Sequence, residues 1–375
     1  MTRSHPGSEI YIGLMSGTSL DGVDIAIVDF SEYPPRLLHC STTAYDETMR
    51  QRLHNLCQSE TTTLDILYSL DAELGELYAE SVKRALKLAS FDPNDIIAIG
   101  CHGQTIRHSP DSARPYTAQI GDPNRIAALT GITTVADFRR KDIALGGQAA
   151  PLAPAFHRFL FRADDENRAL INIGGIANVT YLPGDPAEPI LGFDTGPGNT
   201  LLNYWIEQHR KSPFDNAGAW ARSGQVIDEL LKSMIAGEDY FCLEAPKSTG
   251  TEYFNSEWLT GFLADNFAPN DVQATLVELT VTTIANALSG LPVLPAKCFV
   301  CGGGAHNQYL LERLALSLPH CGVATTHALG LDPDFVEAVA FAWLARERIN
   351  LRSGNIPEVT RARRATILGG VYATD

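Results

Sequence analysis

The chain has 375 residues, 45% apolar and 19% charged, a length that predicts two domains with cores large enough to need no disulfide or metal staple. Its formal charge of −15 at pH 7 excludes a nucleic-acid binder, which needs a basic face, and requires that any anionic ligand be met by local positive charge or a metal. Seven cysteines without framework spacing fit a reducing, cytoplasmic compartment; the polar stretch from Met1 to Glu9 lacks the apolar core of a signal peptide, and no apolar run is long enough to cross a bilayer.

In chain order, residues 10–15 read as a strand, Ser16 to Gly22 as a turn of small polar residues, and residues 23–30 as the returning strand of a hairpin. A third strand fits residues 36–45. Leu67, Leu70, Leu74, Leu77, Ser81, Ala85 and Leu88 recur at steps of three and four, which predicts a long helix capped within Thr61 to Thr63 and stopped by Pro93. Strands are expected at 96–101 and 133–136. Residues 138–150, poor in apolar side chains and containing Gly146-Gly147, read as a loop near a domain boundary. The opening pattern then returns as strand 169–173, turn Gly174-Gly175 and strand 177–182. A strand at 190–194 leads to a helix from Asn199, followed by helices near 225–236, 256–266 and 271–288. A buried strand at 297–301 ends in Gly302-Gly303-Gly304, with a helix through Leu318 and a last helix over 333–348. Strands alternating with helices indicate an α/β fold. The repeated order of hairpin, further strand and helices suggests two halves built on one plan.

Four glycine-rich turns sit at predicted strand ends: Gly17-Thr18-Ser19-Leu20-Asp21-Gly22, Gly174-Gly175, Gly196-Pro197-Gly198-Asn199 and Gly302-Gly303-Gly304. Glycines let backbone N–H groups approach a phosphate, and hydroxyls add donors. One such turn is weak evidence; four, two of them at matching points of similar halves, are not. No Gly-Lys-Ser/Thr or Gly-x-Gly-x-x-Gly pattern fits, which disfavours P-loop and Rossmann sites. Two phosphate-gripping hairpins facing each other across a cleft describe the actin-like sugar kinase and chaperone ATPase plan instead.

Asp21 and Asp24 lie in and just after the first turn, and Asp194 ends an apolar strand beside a glycine turn. Such a carboxylate can hold a metal or take a proton from a nucleophile; the alternative for Asp194 is a turn cap. His102 and Gln104 follow a buried strand and can hydrogen-bond sugar hydroxyls. A Cys101–His102 dyad is disfavoured because adjacent residues of an extended segment face opposite ways. Arg139-Arg140-Lys141 is the one basic triplet, a solvated run or a carboxylate-binding site. Glu337 begins the last helix, as a helix-dipole partner or a substrate contact. Cys298 and Cys301 have CxxC spacing without a second pair, on an apolar strand, and read as buried thiols rather than zinc ligands.

These segments resemble the anhydro-N-acetylmuramic acid kinase family: GLMSGTSLDGVD from Gly13, CHGQT from Cys101, QIGD from Gln119, ADFRRKDIALGGQAAPLAPAFH from Ala136, NIGGIANVTYL from Asn172, GFDTGPGN from Gly192, CGGGAHN from Cys301 and EAVAFAWLA from Glu337. They span nearly the whole chain in the family's order. The resemblance implies a two-domain actin-like (ribonuclease H-like) α/β fold with a central nucleotide cleft. The expected domains are 1–133 with about 356–375, and 134–355. It also implies ATP with Mg²⁺ as cofactors, a small amino-sugar substrate, a homodimer as candidate assembly, and a cytoplasmic role in cell-wall recycling. In the implied reaction water attacks C1 of 1,6-anhydro-N-acetylmuramic acid, the anhydro bridge opens, and O6 takes the γ-phosphoryl of ATP.

By the same resemblance Asp194 is the base. Gly17, Thr18, Ser19, Leu20, Asp21, Gly22, Val23 and Asp24 cradle phosphates. Asn172, Gly174, Gly175, Gly302, Gly303, Gly304 and Asn307 hold the remaining nucleotide, and Asp21 or Asp194 meets Mg²⁺ directly or through water. Arg139 pairs with the lactyl carboxylate, while His102, Gln104 and Glu337 address the sugar. Asn172 stands where the wider superfamily often has Asp, which weakens metal ligation by that hairpin. The competing readings are an ordinary N-acetylhexosamine kinase and a non-catalytic nucleotide-binding scaffold.

Overall fold

The computed structural model describes residues 7–245, 247–264 and 266–374. Two compact units emerge, Met1–Phe156 with Phe335–Asp375, and His157–Asp334. These limits differ from the expected 133/134 and 355/356. The reason is pairing: residues 134–136 add a parallel strand to the first sheet, and the helix Val336–Ile349 lies on that same sheet.

The first unit begins with β1 (Ile10–Ser16), β2 (Gly22–Asp29), β3 (Arg36–Ala44), β4 (Ile96–Ser109), β5 (Tyr116–Ile120) and β6 (Thr134–Ala136). The second holds β7 (Arg168–Ile173), β8 (Ile176–Leu182), β9 (Leu191–Pro197), β10 (Lys297–Cys301) and β11 (Gly322–Thr325), and β12 (Gly370–Tyr372) returns to the first. The first sheet runs β3-β2-β1-β4-β6-β12 with β5 pairing β4, and the second runs β9-β8-β7-β10-β11. In each, three antiparallel strands form a meander, a fourth strand joins its first strand in parallel, and a fifth joins the fourth in parallel. That shared order is the ribonuclease H-like topology, and it bears out the internal echo and the two-domain actin-like α/β fold expected from the sequence.

Strand β1 is buried along its whole length, as a central strand covered on both faces must be. Ile10, Ile12 and Leu14 pack with Leu70, Leu74, Tyr78, Val82 and Leu86 of the long helix Leu64–Ala89. Thr63 caps that helix by accepting from Ile66 N–H, and Ser90 ends it in a left-handed conformation ahead of Pro93. On the opposite face Gly13 and Gly100 stand side by side. A Cβ would sit 1.7 Å from Ala338 O at Gly13 and 2.0 Å from Phe341 O at Gly100. Only glycine lets the helix Val336–Ile349 lie so close, and that contact sets where Glu337 emerges.

Some elements had no clear linear signal. The helix Glu47–Gln58 is polar and buries only Met49, Leu53 and Leu56. The predicted strand ending at Cys101 continues to Ser109 and folds back through β5. The predicted loop 138–150 contains the short helix Arg140–Ala144.

Candidate active site

In the first unit the turn between β1 and β2 is held from beneath. Ser16 Oγ is buried and lies 3.0 Å from Gly22 O, 2.7 Å from Tyr45 Oη and 2.5 Å from Gln104 Oε1. Gln104 Nε2 donates to Gly17 O at 3.1 Å. Gln104 is fully buried and its amide is committed to the turn, so it shapes the loop from below. Thr18, Ser19 and Asp21 are exposed, with Ser19 Oγ donating to Asp21 Oδ1 at 2.8 Å. Leu20 and Val23 send their side chains into the core, so only their backbones could serve a ligand. Asp24 accepts from Thr42 Oγ1 at 2.6 Å.

His102 and Arg139 meet on the side of β4 that faces the helix Val336–Ile349, where the His102 ring lies 4.7 Å from that of Phe341. Arg139 Nε donates to His102 Nε2 at 3.0 Å, and His102 Nδ1 lies 3.3 Å from Ser16 O. Because Nε2 accepts, the proton sits on Nδ1 and points at that carbonyl. Burial, and then the Arg139 charge, push the imidazole down to about 3, so it stays neutral. Both ring nitrogens are thereby engaged, and His102 orients Arg139. Arg139 Nη1 donates to Ala149 O. The N–H of Ala149 donates at 2.8 Å to Asp142 Oδ2, while Asp142 Oδ1 accepts from Asn355 Nδ2 and Thr360 Oγ1, each at 2.8 Å. Among the described residues the Arg139 hydrogen bonds run from Nε and Nη1, and Nη2 has no partner. Burial lowers its guanidinium pKa, opposed by Glu337 and Asp142. Glu337 keeps a solvent-open side, yet its carboxyl is raised, first by desolvation and then by Asp24, against the Arg139 charge.

In the second unit Asp194 lies inside β9, opposite Asn178, rather than at a strand end. Its backbone N–H donates to Lys247 O at 3.0 Å, and its carbonyl accepts from Tyr240 Oη at 2.8 Å. Oδ2 accepts from Thr249 N–H at 3.0 Å, and among the described residues Oδ1 has no partner. Desolvation raises its pKa to about 6, with Glu252 adding to the rise and the Thr249 N–H opposing it. Thr249, Glu252 and Tyr240 were not singled out in the sequence. The run Ser248-Thr249-Gly250-Thr251 marks a turn, but its pairing with β9 spans 55 residues.

Gly174 O and Gly175 O accept from Asn199 and Gly198 N–H at 2.8 and 2.9 Å, so the second hairpin and the helix Asn199–Arg210 hold each other. Gly302 has φ +75°, and a Cβ there would meet Asn172 Oδ1 at 2.3 Å; one on Gly304 would meet Ile173 Cβ at 2.4 Å. Gly303 between them is unobstructed. Asn172 thus packs under the glycine turn. Asn307 caps the helix Gln308–Ser317, accepting from Leu310 N–H at 3.0 Å, which gives its side-chain oxygen a structural duty.

Among the described residues no group of three or more His, Cys, Asp or Glu side chains is placed to hold a metal. The exposed Asp21 carboxylate suits a Mg²⁺ that takes its remaining ligands from phosphates and water, as Mg²⁺ commonly does.

Residues 9–374 match the family model described as anhydro-N-acetylmuramic acid kinase. Curated relatives of that name include one from Pasteurella multocida, 51% identical over 365 residues and covering 96% of each chain. Another, from Shewanella loihica, is 50% identical and covers 96% of this chain and 98% of its own. Among solved structures, the activator of the 2-hydroxyisocaproyl-CoA dehydratase from Clostridium difficile with bound ADPNP gives a TM-score of 0.47 at 14% identity, covering 91% of this chain and 96% of that one. A ROK family glucokinase from Streptomyces griseus in complex with glucose and AMPPNP gives 0.42 at 14% identity, covering 90% and 99%.

Proposed function

The chain belongs to the anhydro-N-acetylmuramic acid kinase family, and from that premise we propose how its residues divide the work of an ATP-dependent sugar kinase. The overall reaction converts 1,6-anhydro-N-acetylmuramic acid, water and ATP into N-acetylmuramic acid 6-phosphate and ADP, a step of peptidoglycan recycling. Asp194 is the general base. The observation that carries this role is the asymmetry of its carboxylate: Oδ2 is tied to Thr249 N–H, Oδ1 is unpartnered among the described residues, and its pKa is raised to about 6. A base near the working pH takes a proton most effectively.

The proton from the attacking water passes to Asp194 Oδ1 as the C1–O bond forms. The bond from C1 to O6 breaks, and O6 receives the phosphoryl group. A glycosidase needs a second carboxyl group to protonate its leaving oxygen; here phosphoryl transfer caps that oxygen, so one carboxylate suffices. The backbone N–H groups of Gly17–Asp24 and the hydroxyls of Thr18 and Ser19 cradle phosphates, supported by Ser16 and Gln104. Gly174 and Gly303 give the nucleotide unobstructed backbone, Gly175 packs its turn closely against Thr251, and Asn172 and Asn307 hold those turns in shape. Arg139 Nη2 takes the lactyl carboxylate, and Glu337 addresses sugar hydroxyls. When bound, Mg²⁺ would neutralise phosphate charge, with Asp21 holding it through water. Seven free thiols fit a cytoplasmic setting.

Turnover in ¹⁸O-labelled water tests the reading. Product quenched before its anomeric oxygen exchanges carries label at C1; unlabelled product points to an ordinary sugar kinase with a free hydroxyl as acceptor. Asp194→Asn is expected to lower kcat by about 10²–10⁴ with ATP binding retained. A loss under tenfold removes Asp194 as the base.

A further inference from the structure

We propose that Cys298 and Cys321 form a dithiol site that peroxide converts to a disulfide. Their Sγ atoms lie 3.0 Å apart, ~1 Å beyond the length of a disulfide bond. The sheet imposes this approach. β10 and β11 pair in parallel with Lys297 opposite Gly322 and Cys298 opposite Val323, so Cys321, one residue before β11, lies diagonally beside Cys298. A turn fixes Cys321 there, its N–H donating to Leu318 O at 3.0 Å.

The two thiols are unequal. Cys298 is fully buried in the core of the second unit, while Cys321 is half-buried. The hydrogen bond between the two sulfurs, and then burial, disfavour a thiolate on Cys298, while the same hydrogen bond favours the thiolate on Cys321. Cys321 is therefore the attacking sulfur and Cys298 the resolving one. The Cys321 thiolate attacks one oxygen of hydrogen peroxide, the O–O bond breaks, and hydroxide leaves, giving a sulfenic acid. Cys298 Sγ then displaces that hydroxyl as the S–S bond forms, and its proton leaves with the hydroxyl as water. Two thiols are oxidised and one peroxide is reduced to two waters.

The CxxC spacing of Cys298 and Cys301 pointed to no partner outside that tetrad. Cys301, in register with Asn172 on β7, plays no part in this site.

The test treats the full-length protein with a small excess of hydrogen peroxide and counts thiols after denaturation. Two of the seven cysteines should be lost together and recovered with dithiothreitol, with peptide mapping showing Cys298 joined to Cys321. Cys298→Ser should stop at a sulfenic acid on Cys321 that dimedone traps, Cys321→Ser should form no internal bridge, and Cys301→Ser should bridge as the wild type does. Circular dichroism establishes that each variant is folded. A bridge between other cysteines, a link only between molecules, or retention of all seven thiols overturns the proposal.

Discussion

Asp194 gains its chemistry from what surrounds it rather than from its own residue type. An ordinary aspartate is ionised and weakly basic at neutral pH; desolvation and Glu252 bring this one up to about 6. If Asp194 is the base as proposed, its unprotonated form is the active one, so kcat/KM should fall tenfold per pH unit below about pH 6 and level off above it. Glu252→Gln removes a negative neighbour, so the acid limb should move to lower pH; an unmoved limb would show that Glu252 does not face the base. The role proposed for Arg139 is of a different kind. Its Nε and Nη1 are committed to His102 and Ala149, leaving one nitrogen for a carboxylate. Arg139→Ala should raise the sugar KM about 10- to 150-fold, the equivalent of ~1.5–3 kcal/mol for a charge-assisted hydrogen bond, with the ATP KM little changed. An unaltered sugar KM would place the lactyl contact elsewhere.

Among the elements, the loop joining the helix Arg140–Ala144 to the helix Ala153–Phe161 matters most for that proposed contact. Asp142 is wholly buried and gathers Ala149 N–H, Asn355 and Thr360 with its two oxygens. It thereby ties the carbonyl that grips Arg139 to the chain's C-terminal segment. Asp142→Asn replaces an acceptor with a donor facing other donors, which should cost about 1–3 kcal/mol of stability. Measured by thermal melting and steady-state kinetics, it should also raise the sugar KM more than the ATP KM. A lower melting temperature with both KM values unchanged would make Asp142 a purely structural anchor. The motif from Ala136 was legible as a unit, but its internal wiring was not, because Asp142 bonds to residues more than 200 positions away.

At the scale of the molecule, the acidic balance of −15 and the lack of any carboxylate cluster suited to a metal among the described residues mean that the cation should arrive with the nucleotide. Calorimetric titration of Mg²⁺ into nucleotide-free protein should therefore reveal no site tighter than about 1 mM, whereas chelation should abolish phosphoryl transfer. A tight site in the free protein would contradict this. The chain's own sequence determined the α/β class, the duplicated hairpins, the glycine turns and the carboxylate beside one of them that is proposed as the base. Each is a local pattern: apolar periodicity, small residues at strand ends, a carboxylate beside a turn. Tertiary structure alone decided which side chains stay open and which serve the scaffold. Leu20 and Val23 went to the core, Gln104 and His102 became supports, Asn307 became a helix cap, and Thr249 and Cys321 came to their partners from distant segments. Strand pairing and helix packing made those choices, and one-dimensional spacing carries no record of which distant residue will satisfy a buried polar atom.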